Sequence, residues 1–235
     1  MSKATKVVGV LGGMGPAATV DFFARVLQET HAKRDQDHLR LIIDCNPHVP
    51  DRNSASAGGA SPASVLRGMA RGLKSAGAEL LVMPCNAAHA YVDDIKAATD
   101  LPFVSIIEVT VEATRRALPN IRRVGVLAAG ACLDAGLYQN AFASHGIAVV
   151  APGAAERDTF MRILYAIKSN DTGATVKAQM RALAEGLIAN GAEAVVAGCT
   201  EVPLVLSPAD IAKPLMSSTD CLVRATIAAA RGDIE

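Results

Sequence analysis

The sequence carries no excess of either charge: 23 Lys and Arg residues stand against 23 Asp and Glu, for a formal net charge of zero. It has no basic block and no acidic tail, so neither nucleic acid nor a membrane surface is indicated as a partner. No apolar run approaches the roughly 18 residues of a membrane span. The opening stretch MSKATKVVGVLGG is too short in its apolar part for a signal peptide and leads straight into a strand-like run, so a cytoplasmic protein is expected. Cysteines number five, an odd count with no CxxC pair, which argues against a disulfide scaffold or a closed zinc site. What is present is apolar material, 51% of a 235-residue chain, enough for one large domain or two of ordinary size.

The chain also repeats itself. Residues 67–85, RGMARGLKSAGAELLVMPC, align with residues 181–199, RALAEGLIANGAEAVVAGC, at a constant offset of 114, and nine of the 19 positions are identical. VGVL at Val8–Leu11 recurs at Val124–Leu127 with an offset of 116, and PFVS at Pro102–Ser105 is echoed by PLMS at Pro214–Ser217 with an offset of 112. Offsets this steady point to two copies of one unit. In each copy short β-branched runs close on Gly- or Ala-rich turns, as buried parallel strands do. The spacing predicts helices over 17–33 and about 134–144, and strands at LRLIIDC and IAVVAP. It predicts a helix with an apolar face of Leu66, Met69, Ala70 and Leu73, stopped by Gly77. Alternating strands and helices give an α/β fold of two similar domains, each a parallel sheet flanked by helices. The expected bounds are 1–112 plus 214–235 for the first domain and 113–213 for the second, with the last helix, 219–231, returning to the first.

Cys85 and Cys199 each stand just past the end of the equivalent strand of their copy. Ligands of open parallel sheets bind beyond the carboxyl ends of the strands. Two copies related by a pseudo-two-fold axis would set these thiols across one interdomain cleft. A thiolate and a thiol on opposite faces of one carbon can remove a proton from one side and deliver one to the other. The alternative is two buried structural cysteines, against which stand their equivalence in the repeat and the polar residues that follow them, Asn86 and Thr200. A helix starting near Ala87 would offer its positive end to a thiolate or a substrate carboxylate. Cys45, Cys132 and Cys221 read mostly as core residues, with Cys132 the one that could line the cleft.

GVLGGMGPAAT (Gly9–Thr19), PCNAAHA (Pro84–Ala90) and GCTEVP (Gly198–Pro203) together resemble the aspartate/glutamate racemase family, and the likeness spans both halves. The resemblance implies two α/β domains, a cysteine pair in the interdomain cleft as the catalytic residues, no pyridoxal phosphate, no metal, an amino-acid substrate and a homodimer. On it, Cys85 and Cys199 are the two catalytic positions. Arg52 in PDR and Lys168 in YAIK hold the substrate's side-chain carboxylate, Met14 faces the cleft, and Asn86 and Thr200 act as donors. The sequence departs from that pattern at Ala87, where the family usually has Thr, and in AAGACLDAG, where Ala129, Ala131 and Cys132 replace hydroxyl-bearing residues.

Other readings were open from the residues alone. GMGPAA followed by Asp44 partly matches a dinucleotide fingerprint, but Asp44 lies about 30 residues on where about 20 is usual. Arg52 sits in a polar loop and Lys168 on a helix, where both could simply be solvated. His89 could act as a base or pack within its helix, and Glu201 could orient Thr200, tune the Cys199 thiol or serve as a cap. A catalytically silent carboxylate-binding protein on the same scaffold, or an isomerase of another carboxylate, would share most of these features.

Overall fold

The computed structural model describes residues 5–233. The chain separates into two compact units, one running through Val109 and resumed from Thr219, the other Thr110–Ser218. The first contains β1 (Val8–Gly12), α1 (Pro16–Glu29), β2 (Leu41–Cys45), α2 (Arg52–Ser56), α3 (Ala63–Ser75), β3 (Leu80–Val82), α4 (Val92–Ala98) and β4 (Phe103–Val104). Helix α5 (Ile106–Ala117) crosses the boundary. The second contains β5 (Arg123–Leu127), α6 (Gly130–Asp134), α7 (Leu137–Ala143), β6 (Ala148–Val150), α8 (Ala154–Lys168), α9 (Ala174–Ala189), β7 (Ala194–Ala197) and β8 (Leu215–Ser217). Helix α10 (Ser218–Arg231) carries the chain back to the first unit.

Both sheets are parallel and share one strand order, β2-β1-β3-β4 and β6-β5-β7-β8. The sequence repeat is a repeat of register. Val8, Gly9 and Val10 pair with Leu80, Leu81 and Val82, while Val124, Gly125 and Val126 pair with Ala194, Val195 and Val196. Glycine at the centre of both first strands has a steric cause. A Cβ on Gly9 would fall 2.8 Å from the Ala78 Cβ, and one on Gly125 would fall 2.9 Å from the Leu187 Cβ. Each central strand thus lies under the helix and turn of the repeated segment, at backbone contact distance.

Helix α3 buries Leu66, Met69, Ala70 and Leu73, the apolar face read from its spacing. With Leu11, Leu81, Met83 and Ile95 they form one core cluster, and Leu127, Leu183, Leu187, Val195 and Phe160 belong to that of the second unit. Each fully buried side chain of this size contributes about 1.5–3 kcal/mol, so the repeated helix–strand segment is the framework of each unit.

Three expectations change. The segment 214–218 belongs to the second unit: β8 pairs with β7, Val195 opposite Leu215 and Ala197 opposite Ser217, and the Ser218 hydroxyl donates to the Ala197 carbonyl at 2.7 Å. The domain boundaries therefore fall at 109/110 and 218/219, not at 112/113 and 213/214. The helix expected over about 134–144 starts later, as α7 at Leu137 after Gly136 with φ +65°, and the separate short α6 precedes it. Cys45 is exposed at the end of β2, while Cys132 and Cys221 are buried as expected. Helix α10 is held to its unit by Arg25, whose guanidinium meets Asp220 at 2.7 Å, and by Arg231, which donates to the Thr30 carbonyl at 2.9 Å. No helix among the described residues is long and apolar enough to cross a membrane.

Candidate active site

Within the first unit the turn after β1 is fixed by its own residues. The Gly13 N–H donates to the Thr19 hydroxyl at 2.9 Å, and that hydroxyl donates to the Gly15 carbonyl at 3.1 Å. Gly13 has φ +88°, and a Cβ there would fall 2.4 Å from the Asn46 backbone, so only glycine fits. Arg52 opens α2, whose N-terminus is capped by the Asp51 carboxylate. Its side chain is 8% exposed, not the solvated loop arginine that its polar neighbours suggest. The guanidinium donates to the carbonyls of Val49, Pro50 and Met14 at 3.1–3.3 Å, and its Nε has no acceptor. None of these partners is a carboxylate, so the buried positive charge is solvated by carbonyl dipoles alone.

Met14 is buried in the same apolar cluster as Cys85. Cys85 lies three residues past β3, its N–H donating to the Met83 carbonyl at 2.8 Å. The next residues form a 3₁₀ turn, Ala87–Tyr91, and α-helix begins only at Val92. The helix expected to start near Ala87 does start there, but its first turn is 3₁₀ and not α. The cause is His89. In an α-helix its N–H would bond the Cys85 carbonyl; instead its own ring takes that carbonyl at 2.9 Å, and its N–H turns to Asn86 at 3.0 Å. Asn86 and Ala87 are both buried.

In the second unit Cys199 lies two residues past β7. Its thiol donates to Glu201 Oε2 at 3.0 Å, and the Thr200 hydroxyl donates to the same oxygen at 3.2 Å. Lys168, at the end of α8, places Nζ 3.3 Å from Glu201 Oε1, an ion pair without hydrogen-bond alignment. Glu201 is 3% exposed, so this is a buried charge with a cation on one oxygen and two donors on the other. Burial pushes the Cys199 thiol well above its ordinary range; the Glu201 carboxylate adds to that and Lys168 opposes it. The residues Lys168, Cys199, Thr200 and Glu201 thus form one connected group. Ala129, Ala131 and Cys132, at the turn after β5, are buried, Cys132 completely.

A family model described as Asp/Glu/Hydantoin racemase matches residues 11–226. The chain belongs to this family. It is a racemase, an isomerase by reaction class. The aspartate racemase of Picrophilus torridus superposes with a TM-score of 0.86 at 29% identity, covering 96% of this chain and 94% of that one. An aspartate racemase homologue from Pyrococcus horikoshii OT3 gives 0.77 at 25% identity, over 96% and 99% of the two chains. The broad specificity amino-acid racemase RacX of Bacillus subtilis is 25% identical over 232 residues, 94% of this enzyme and 96% of that one.

Sequence reasoning named every member of the Cys199 group and offered Glu201 as a partner of Thr200 and of the Cys199 thiol, but it did not join Lys168 to Glu201. Lys168 was expected to hold a substrate carboxylate, and it faces Glu201 across 33 residues of chain. The ring of His89 was missed as a bridge. Its signal was the four-residue spacing from Cys85, the distance at which a helical side chain can take the place of the backbone donor.

Proposed function

We propose that the enzyme inverts the α-carbon of amino acids, aspartate and glutamate among them, by proton transfer through Cys85 and Cys199, independently of pyridoxal phosphate and metal. The observation that carries this reading is the thiol–carboxylate hydrogen bond of Cys199. A thiol held protonated on Glu201 is ready to donate, which makes Cys85 the base in the direction where Cys199 is the acid. In that direction the Cys85 thiolate takes the α-proton and becomes a thiol. The Cys199 S–H bond breaks as its proton passes to the opposite face of the carbon. The reverse direction retraces these steps: the Cys199 thiolate takes the α-proton and becomes the thiol bound to Glu201, while the Cys85 S–H bond breaks as its proton passes to the opposite face.

Removing an α-proton puts charge on the carboxylate as an enediolate, and that charge needs donors already in place. Asn86, Thr200 and backbone N–H groups are proposed for this role. The carbonyl-bound guanidinium of Arg52 is proposed to attract an anionic group of the substrate. Lys168 already serves Glu201, and Ala87 brings no hydroxyl. These two points favour selectivity relaxed beyond the acidic amino acids, in keeping with the name of the Bacillus subtilis relative. Cys85→Ala and Cys199→Ala are each expected to abolish racemisation, because one thiol cannot serve both faces. Retention of a tenth of wild-type activity by either variant would refute the assignment. Deuterium uptake at the α-carbon, measured in D₂O across the proteinogenic amino acids, defines the substrate range.

A further inference from the structure

His89 lies four residues after Cys85, is 4% exposed, and packs against Phe103 with ring centroids 5.4 Å apart. Both ring nitrogens are engaged by backbone. Nδ1 is 2.9 Å from the Cys85 carbonyl oxygen, and the Ile106 N–H points at Nε2 from 3.1 Å. A backbone N–H can only donate and a carbonyl can only accept. One protonation state satisfies both contacts: Nε2 bare, Nδ1 carrying the hydrogen. The imidazolium would set an Nε2–H against the Ile106 N–H, and the other tautomer would do the same while leaving Nδ1 facing an oxygen.

We propose that His89 is a positioning residue for Cys85, fixed as the neutral Nδ1–H tautomer and acting through the Cys85 carbonyl, not as a base toward substrate. The inference rests on the two-cysteine reading for its effect on turnover. Three consequences follow from the geometry. The ring replaces the backbone donor that would continue an α-helix from Cys85, so the chain tightens into the 3₁₀ turn of 87–91. It ties that turn to the first N–H of α5, one of the donors a helix start leaves without an intrahelical partner. It also polarises the peptide joining Cys85 to Asn86, which strengthens the Asn86 N–H as a donor next to the reacting sulfur.

The test uses the full-length enzyme. A glutamine can accept from Ile106 with its amide oxygen and donate to Cys85 with its amide nitrogen, whereas a leucine keeps bulk and neither bond. His89→Leu is expected to lower kcat about tenfold or more with KM within about threefold, and His89→Gln to recover most of that loss. The rate of iodoacetamide attack on Cys85, read by mass spectrometry, should follow the same order. Long-range ¹⁵N–¹H correlation of the wild-type imidazole at pH 7.5, assigned by its loss in His89→Gln, should show the Nδ1–H tautomer. If leucine fails to fold, the tautomer and the glutamine variant still decide. An Nε2–H tautomer overturns the proposal, and so does a glutamine variant inactive while folded, which marks a base. Leucine and glutamine variants of equal activity overturn it too, since packing alone would then explain the residue. An active Cys85→Ala enzyme with the expected tautomer would instead sink the two-cysteine reading and leave the geometry of His89 standing.

Discussion

Burial of His89 predicts a specific loss of stability in mild acid. Its pKa is lowered to about 4 from the ordinary 6.5, chiefly because burial disfavours the imidazolium; Lys96 adds to this and the Cys85 carbonyl works against it. The unfolded chain therefore takes up a proton, between about pH 6.5 and 4, that the folded protein refuses. Stability from this site is complete above 6.5 and is lost as the pH falls through that window. A unit of pKa difference corresponds to about 1.4 kcal/mol, so the whole effect is about 3 kcal/mol, most of which is gone by pH 4.5. His89→Gln carries no such proton. The stability advantage of wild type over this variant should shrink by about 2 to 3 kcal/mol between pH 7.5 and pH 4.5.

Urea unfolding of both proteins at pH 7.5, 6.5, 5.5 and 4.5 measures the difference, in which the carboxylates common to both cancel. Hydrogen exchange at the Ile106 amide supplies a local reading, because that N–H is the one bonded to Nε2. It reports the first unit even where the two units unfold separately. A wild-type advantage that stays constant over this range would refute the reasoning, since it would mean that the folded protein accepts the proton at no cost.

The other predictions concern the second thiol and the framework. Glu201→Gln removes the charge that helps hold Cys199 protonated, so Cys199 alkylation at pH 7.5 should accelerate while racemisation, which needs that thiol as its acid, falls about 100-fold; slower alkylation would contradict the assignment. Gly9→Ala should cost about 1–3 kcal/mol in denaturant midpoint stability, since its Cβ meets Ala78 and Leu81 at 2.8 Å, whereas Gly68→Ala, with nothing within 4 Å in the same unit, should stabilise by about 0.5–1 kcal/mol. Ala87→Thr should raise kcat/KM for aspartate or glutamate about tenfold through one added hydrogen bond to a carboxylate. A decrease from an already efficient wild type would show the alanine to be fitted to the acidic substrate.

The parts legible in the sequence are those carried by backbone. Offsets of 116, 114 and 112 mark corresponding strands of the two copies, so the duplication was legible in the sequence, and the structure gives both copies one register, Val8 opposite Leu80 and Val124 opposite Ala194. Side-chain partnerships across the chain were not legible. Nothing local joins Lys168 to Glu201, and nothing around Arg52 announces its burial among the carbonyls of Met14, Val49 and Pro50. The 3₁₀ turn was hidden for a related reason: a side chain competes with the backbone for the Cys85 carbonyl, and propensity takes no account of the rival.

The repeat also locates the difference between the two thiols. At the offset of 114, Ala87 corresponds to Glu201 and His89 to Pro203. The match ends at the cysteines, since none of the next four positions is shared, and two of those differences give Cys199 a carboxylate acceptor and Cys85 a neutral imidazole on its carbonyl. The proposed acid and base are thus unequal although their strands are equivalent. Enantiomers have equal free energy in water, so kcat/KM must be the same in both directions whatever the protein does. The inequality can surface only as matched changes in kcat and KM: the direction that starts from the favoured protonation state should bind more tightly and turn over more slowly, or the reverse. Full progress curves from each pure enantiomer measure this directly. Identical kcat and identical KM in the two directions would mean that Glu201 and His89 leave the two thiols equivalent, and that the asymmetry written into positions 87, 89, 201 and 203 has no bearing on the reaction.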